Sequence, residues 1–140
     1  MRLVLFMFLL FIGSSCGTTK KLAKNSTVLN GTWVPIKQEM GGKELPILAF
    51  EKQKLTINDS LYTMIAESID KGVITYTDNK MDIYGRQGVN AGKHFTAIYK
   101  VENEHLTICY NLVGDSYPET FETKSKRLLF LSVYKKELVK

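Results

Sequence analysis

The stretch from Phe95 to Leu112 constrains the fold of this chain more than any other. On both sides of Asn103-Glu104 the side chains alternate with the period of two that a strand imposes. With Glu102 opposite His105 across a two-residue turn, Val101 faces Leu106, Tyr99 faces Ile108, Ala97 faces Tyr110 and Phe95 faces Leu112. All of these are apolar or aromatic and share one face. The other face carries Thr96, Ile98, Lys100, Thr107, Cys109 and Asn111. A slip of one residue in either strand would set Thr and Cys against the aromatics, so the pattern specifies the register. Asn103 suits the positive φ of the turn, although Asn-Glu is a weaker turn pair than Asn-Gly.

Short β-type runs continue in both directions. Strands are expected near Thr32–Met40, Lys52–Asn58, Leu61–Glu67, Val73–Thr77, Met81–Tyr84, Phe95–Val101, Leu106–Leu112 and Arg127–Lys135. Between them stand Gly41-Gly42, Asn58-Asp59-Ser60, Asp70-Lys71-Gly72, Asp78-Asn79, Gly85 to Gly92, Asn103-Glu104 and Gly114-Asp115, all turn-forming in composition. Eight short strands with mostly short connections describe an all-β antiparallel meander, as a sandwich or a closed barrel. Trp33 alternates with Pro35 and Lys37, which leaves Val34 and Ile36 on the other face. A bulge at Pro35, which cannot donate to the ladder, would reset that alternation.

The N-terminal stretch is set apart from the fold. Met1-Arg2 is a short positive start, Leu3 to Ile12 is wholly apolar, and Gly13-Ser14-Ser15 is a run of small residues before Cys16. Ten helical residues reach roughly 15 Å, against a hydrocarbon core of ~30 Å, so the run is too short to span a membrane. It resembles a lipoprotein signal, with Gly13 where Leu is usual. That resemblance implies cleavage before Cys16 and acylation of its thiol. The expected organisation is a signal peptide over residues 1–15, a lipid-anchored polar linker over 16–28 and a β-barrel domain over 29–136. The expected location is the cell envelope, on the outer membrane. Cys109 is the one other cysteine, so an acylated Cys16 leaves no intramolecular disulfide, and stability rests on an ordinary core.

The formal charge of +5 belongs to the tails. Between Leu29 and Tyr134 twelve basic residues meet thirteen acidic ones. A near-neutral body lacks the basic face that nucleic acid requires. Lys20, Lys21 and Lys24 follow the anchor directly, where each could gain up to about 1 kcal/mol from anionic headgroups.

Asn30-Gly31-Thr32-Trp33 at the head of the first strand is similar to the Gly-x-Trp opening of lipocalins. Ala97 to Val101 followed by Leu106 to Tyr110 resembles the hairpin of a largely uncharacterised group of lipocalin-like bacterial domains. Tyr117-Pro118-Glu119-Thr120-Phe121 is similar to that group's Arg-Pro…Phe segment, with Tyr117 in place of Arg. Leu131 to Lys135 resembles its last strand, with Lys135 in place of Arg. The resemblance covers about Leu29 to Lys136 and rests on the order and spacing of short motifs. It implies an up-and-down barrel in which a basic side chain of the last strand, here Lys135, covers Trp33 through a cation–π contact.

No catalytic constellation emerges from the sequence. His105 and Cys109 lie four apart in one strand, ~13 Å at 3.3 Å per residue, beyond the reach of a dyad. His94 is at the far end of the hairpin from His105, so zinc-type sites are not expected. Asp78-Asn79-Lys80-Met81-Asp82 does not have calcium-loop spacing. Gly85 to Gly92 lacks the Gly-Lys-Ser/Thr ending of a phosphate loop and reads as a mobile connection at a barrel mouth. The expectation is a non-enzymatic binding protein without cofactor or metal, taking a small apolar or amphipathic molecule. The candidate lumen is Phe95, Ala97, Tyr99, Leu106, Ile108 and Tyr110. The alternative is a protein-binding inhibitor or immunity-type lipoprotein acting through the loops at Gly41-Gly42, Gly85–Gly92 and Gly114–Pro118.

Overall fold

A computed structural model describes residues 28–138. The strands are β1 (Gly31–Met40), β2 (Lys43–Glu44), β3 (Lys54–Asn58), β4 (Leu61–Ile65), β5 (Ile69–Thr77), β6 (Lys80–Gln87), β7 (His94–Glu102), β8 (His105–Asn111) and β9 (Leu129–Lys136). Each long strand pairs antiparallel with its neighbours in sequence, and β9 returns to pair with β1. The result is a closed, eight-stranded up-and-down barrel, on which β2 is a short arm of β1. The expected signal peptide and lipid anchor, with Cys16, lie outside the described residues.

The hairpin of β7 and β8 has the register that alternation requires, from Glu102↔His105 to Thr96↔Asn111. Asn103 and Glu104 both have positive φ, 50° and 63°. Such a turn matches the right-handed twist of the strands it joins. Beyond Asn111 the ladder with β7 ends, so Leu112 does not pair with Phe95 and is exposed at the end of the barrel.

The irregularity in β1 lies at Pro35. Pairing with β9 passes from Pro35↔Tyr134 to Lys37↔Val133, which leaves Ile36 as the extra, exposed residue. Trp33 and Pro35 are buried before the bulge and Gln38 after it.

Asp70-Lys71-Gly72 is not a turn but part of β5. The chain reverses earlier, where the Ala66 N–H donates to the Ser68 carbonyl. Asp70 and Gly72 are turn-type residues used for packing inside the barrel. A Cβ at position 72 would sit 2.0 Å from the Tyr84 carbonyl oxygen and 2.6 Å from the Tyr62 ring.

The core lies inside the barrel and is densest at the end where the Asn103-Glu104 turn sits. There Leu29, Trp33, Ile57, Tyr76, Tyr99 and Leu106 are buried together. Tyr76 and Tyr99 meet edge to face at 6.0 Å, and the Trp33 indole donates to the Leu29 carbonyl at 2.8 Å. This end is closed. A second, smaller cluster lies outside the barrel wall, where the β8–β9 connection brings Tyr117 and Phe121 onto Ile98, Cys109, Leu129 and Leu131.

Candidate functional site

The opposite end of the barrel is open. A cavity of about 570 Å³ enters it, within the ~300–1,000 Å³ range of small-molecule sites. Leu55, Met64, Ile74, Met81, Ile83, Phe95 and Ile108 supply its apolar lining. Away from the bulge in β1, the lining strands deliver inward side chains at every second position, so the apolar alternation in the sequence becomes a continuous inner surface.

Of the six lumen residues expected from the sequence, Phe95, Ile108 and Tyr110 line the cavity. Ala97, Tyr99 and Leu106 share their face but belong to the packed core at or near the closed end. Alternation reveals which face points inward, not how far along the axis the plug extends. The Tyr99 hydroxyl donates to the Asp78 carbonyl at 3.0 Å, and the Tyr76 hydroxyl donates to the Asp59 carbonyl at 3.3 Å. Turn carbonyls thus satisfy these phenols without a ligand.

The basic residue over Trp33 is Lys136, not Lys135. Its Nζ stands 5.2 Å from the centre of the indole. Trp33 pairs directly with Lys136, whereas Lys135 pairs with Val34 on the outward-facing set. A Cβ at Gly31 would lie 2.7 Å from Lys136 Cε, so the glycine before Thr32-Trp33 leaves the room that this side chain needs.

Of the polar part of the cavity, the sequence reading included Tyr110 and missed Gln38, Gln53 and Tyr134. Gln38 of β1, Tyr110 of β8 and Tyr134 of β9 line it together with Gln53, from the connection that leads into β3. Gln53 Nε2 donates to the Ala49 carbonyl at 3.2 Å; its Oε1 accepts from Gln38 Nε2 at 2.8 Å. Gln38 Nε2 also reaches the Ser132 hydroxyl at 3.3 Å. The hydroxyls of Tyr110 and Tyr134 are 3.2 Å apart. Burial first, then its neighbour Tyr134, pushes Tyr110 well above the usual phenol range. Burial likewise raises Tyr134. Both stay protonated, and one of them donates to the other. Inward positions at Gln38 and Ser132, polar in an otherwise apolar alternation, were the available signal.

Asp70 is a buried carboxylate on this same lining. Its Oδ1 accepts from the Asn90 N–H at 2.9 Å, and Gly88 packs against it. Asp70 therefore pins the Gly85–Gly92 connection to the barrel mouth. The connection is further organised by bonds from Gly92 N–H to the Gly85 carbonyl and from Gly85 N–H to the Lys93 carbonyl. Lys93, exposed at the rim, donates to Asn90 Oδ1 at 3.2 Å.

Outside the barrel, Asp82 binds two partners: His94 Nε2 at 2.7 Å and the Tyr117 hydroxyl at 2.5 Å. His94 stacks on Tyr84 with ring centres 4.6 Å apart. The bond to Asp82, with burial adding to it, pushes Tyr117 up to about 12. This cluster ties the β8–β9 connection to the wall. Cys109 is fully buried beneath it, and that burial pushes its thiol up to about 11. A thiol so placed packs and does not attack. Among the described residues no group of His, Cys, Asp and Glu has a metal-holding arrangement.

In comparisons with family models, with curated proteins and with solved structures, the chain matches none.

Proposed function

We propose that this chain is a lipid-anchored envelope protein, tethered through Cys16 to the outer membrane, whose lipocalin-like barrel binds one small apolar or amphipathic molecule. The observation that carries this reading is the 570 Å³ cavity with its apolar strand lining. Binding without catalysis fits the chemistry of the lining, where the phenols are held protonated. The polar segment before residue 28 would be the tether.

The test is uptake of Nile red, a neutral apolar fluorophore. Met64 lines the cavity without belonging to the fully buried core, so Met64→Trp should occupy the space at a cost of no more than about 1–3 kcal/mol. The expected result is Nile red binding by the parent and its loss in a folded Met64→Trp variant. Absence of binding by the parent, or equal binding by both, would sink the reading.

One observation favours a protein-binding role as the second reading. Ile47, Leu48, Ile69, Val89, Val113 and Leu128 are all more than half exposed, and all sit at the open end. Under that reading, substituting Leu48 and Val89 by Ser would abolish a partner's capture while leaving Nile red uptake intact.

A further inference from the structure

The hydrogen-bond directions along the cavity wall can be worked out from one fixed point. The Ala49 carbonyl can only accept, so it must face Gln53 Nε2. Gln53 therefore turns Oε1 towards Gln38, and Gln38 answers with Nε2, whose second proton goes to Ser132. Gln38 Oε1 is left with no donor among the described residues. It is not sealed in protein, since among the described residues no fully buried side-chain polar atom lacks a partner, and Gln38 lines the cavity.

The hydroxyls show the opposite imbalance. The hydroxyls of Tyr110 and Tyr134 share one hydrogen bond. Two hydroxyls bring two protons to this contact, so one donor remains over whichever way the bond runs. Both tyrosines reach the cavity. An unused donor is costly in a dry interior, so this one is turned to the cavity. From the far side of the barrel Tyr62 also lines the cavity, near enough to act electrostatically on Tyr110, and its hydroxyl has no acceptor among the described residues.

The cavity thus offers surplus donors beside the free Gln38 oxygen, and the one cation among its described lining residues is Lys93. Lys93 is at the rim and engaged with Asn90, while the Asp70 carboxylate is inside. An anionic head would meet a like charge, face the Gln38 oxygen and lose its hydration. A hydroxyl head would accept from a tyrosine and donate to Gln38.

Resting on the reading of the barrel as a small-molecule carrier, we infer that its ligand is an uncharged amphiphile with a hydroxyl head, which enters head first towards Gln38, Tyr110 and Tyr134. The apolar body then lies along Leu55, Ile83 and Phe95 towards the open end.

The test uses the full chain carrying Cys16→Ser, so that no acyl group competes for the cavity. Nile red is displaced at pH 8 by 1-dodecanol or by dodecanoate, which have the same chain length and differ in the head. Dodecanol should compete at about tenfold lower concentration, a 1.4 kcal/mol preference. Equal or better competition by dodecanoate overturns the inference and leaves the carrier reading standing. Absence of Nile red uptake overturns the carrier reading itself. In Asp70→Asn, which keeps the acceptor for Asn90, dodecanoate should gain several-fold, and an unchanged gap in the folded variant also overturns the inference. The double variant Tyr110→Phe with Tyr134→Phe should weaken dodecanol several-fold. If it does not fold, the parent and Asp70→Asn decide.

Discussion

Position 104 shows how much a single residue can hold against its own preference. Glu104 adopts a φ of 63° because the register of β7 and β8 leaves it no alternative. A left-handed L-residue costs about 1–2 kcal/mol. Glu104→Gly should therefore raise stability by about 1 kcal/mol in urea unfolding, since Asn-Gly is the preferred pair here. Ala97, completely buried between Met81 and Tyr110, has no space to grow into. Ala97→Leu should destabilise the barrel by about 1–3 kcal/mol through overpacking. A neutral result would mean that the cavity extends to it. Cys109 adds a pH dependence of known sign. Its folded value of about 11 lies above its ordinary 9.0, so the folded chain holds the proton more tightly. Its contribution is complete below about pH 9 and lost as pH rises through about 11. Cys109→Ala should flatten the decline in stability over that window relative to the parent. An identical slope in the two chains would show that the thiol does not titrate differently on folding.

At the scale of elements, the junction of β1 with β9 closes the barrel, and the cation over the indole is part of that junction. Lys136→Ala should cost about 0.5–1 kcal/mol through the lost contact with Trp33. Lys135→Ala, on the outward-facing set, should stay within about 0.5 kcal/mol. The reverse order would restore Lys135 to the role its place in the motif implied. The β8–β9 connection is the longest in the barrel and is held at several points. Tyr117 reaches Asp82, the Thr96 hydroxyl donates to the Ser116 carbonyl at 2.5 Å, and Thr123 bonds both the Gly42 N–H and the Glu39 carboxylate. Its role as a cover for Ile98 and Cys109 was not legible in the sequence. A mixed strand face tells only that something partly apolar lies on it, and not which distant segment supplies the cover. Tyr117→Phe should loosen that cover at a cost of about 1 kcal/mol. Faster amide exchange in residues 112–128, with the inner strands unchanged, would accompany it.

At the scale of the molecule, the barrel separates two tasks by depth. One end is filled with Trp33, Tyr76 and Tyr99, and the other is left hollow and partly polar. The closed end begins at Leu29, directly after the proposed linker, so the tether would leave from the end opposite the mouth. Membrane association should then depend on the acyl group alone. Cys16→Ser should release the chain from membranes or leave its precursor uncut, since buried acyl chains contribute ~0.8 kcal/mol per CH₂ and three lysines far less. Retention of the variant through a high-salt wash would refute the anchor.

What the sequence determined by itself was local and periodic. The strands, the hairpin register and the bulge at Pro35 follow from side-chain alternation and from residues that cannot pair, and these act between near neighbours. The Asp70-Lys71-Gly72 segment escaped that logic, because its residue types answer to Asn90, Tyr62 and Tyr84, which lie far away in sequence. The tertiary structure alone decided where the plug stops, which lysine covers the indole and which polar side chains share the cavity. Those are questions of depth along a closed barrel. Depth is set by strand stagger and by side chains arriving from strands far apart in the chain, while a period of two records only the face.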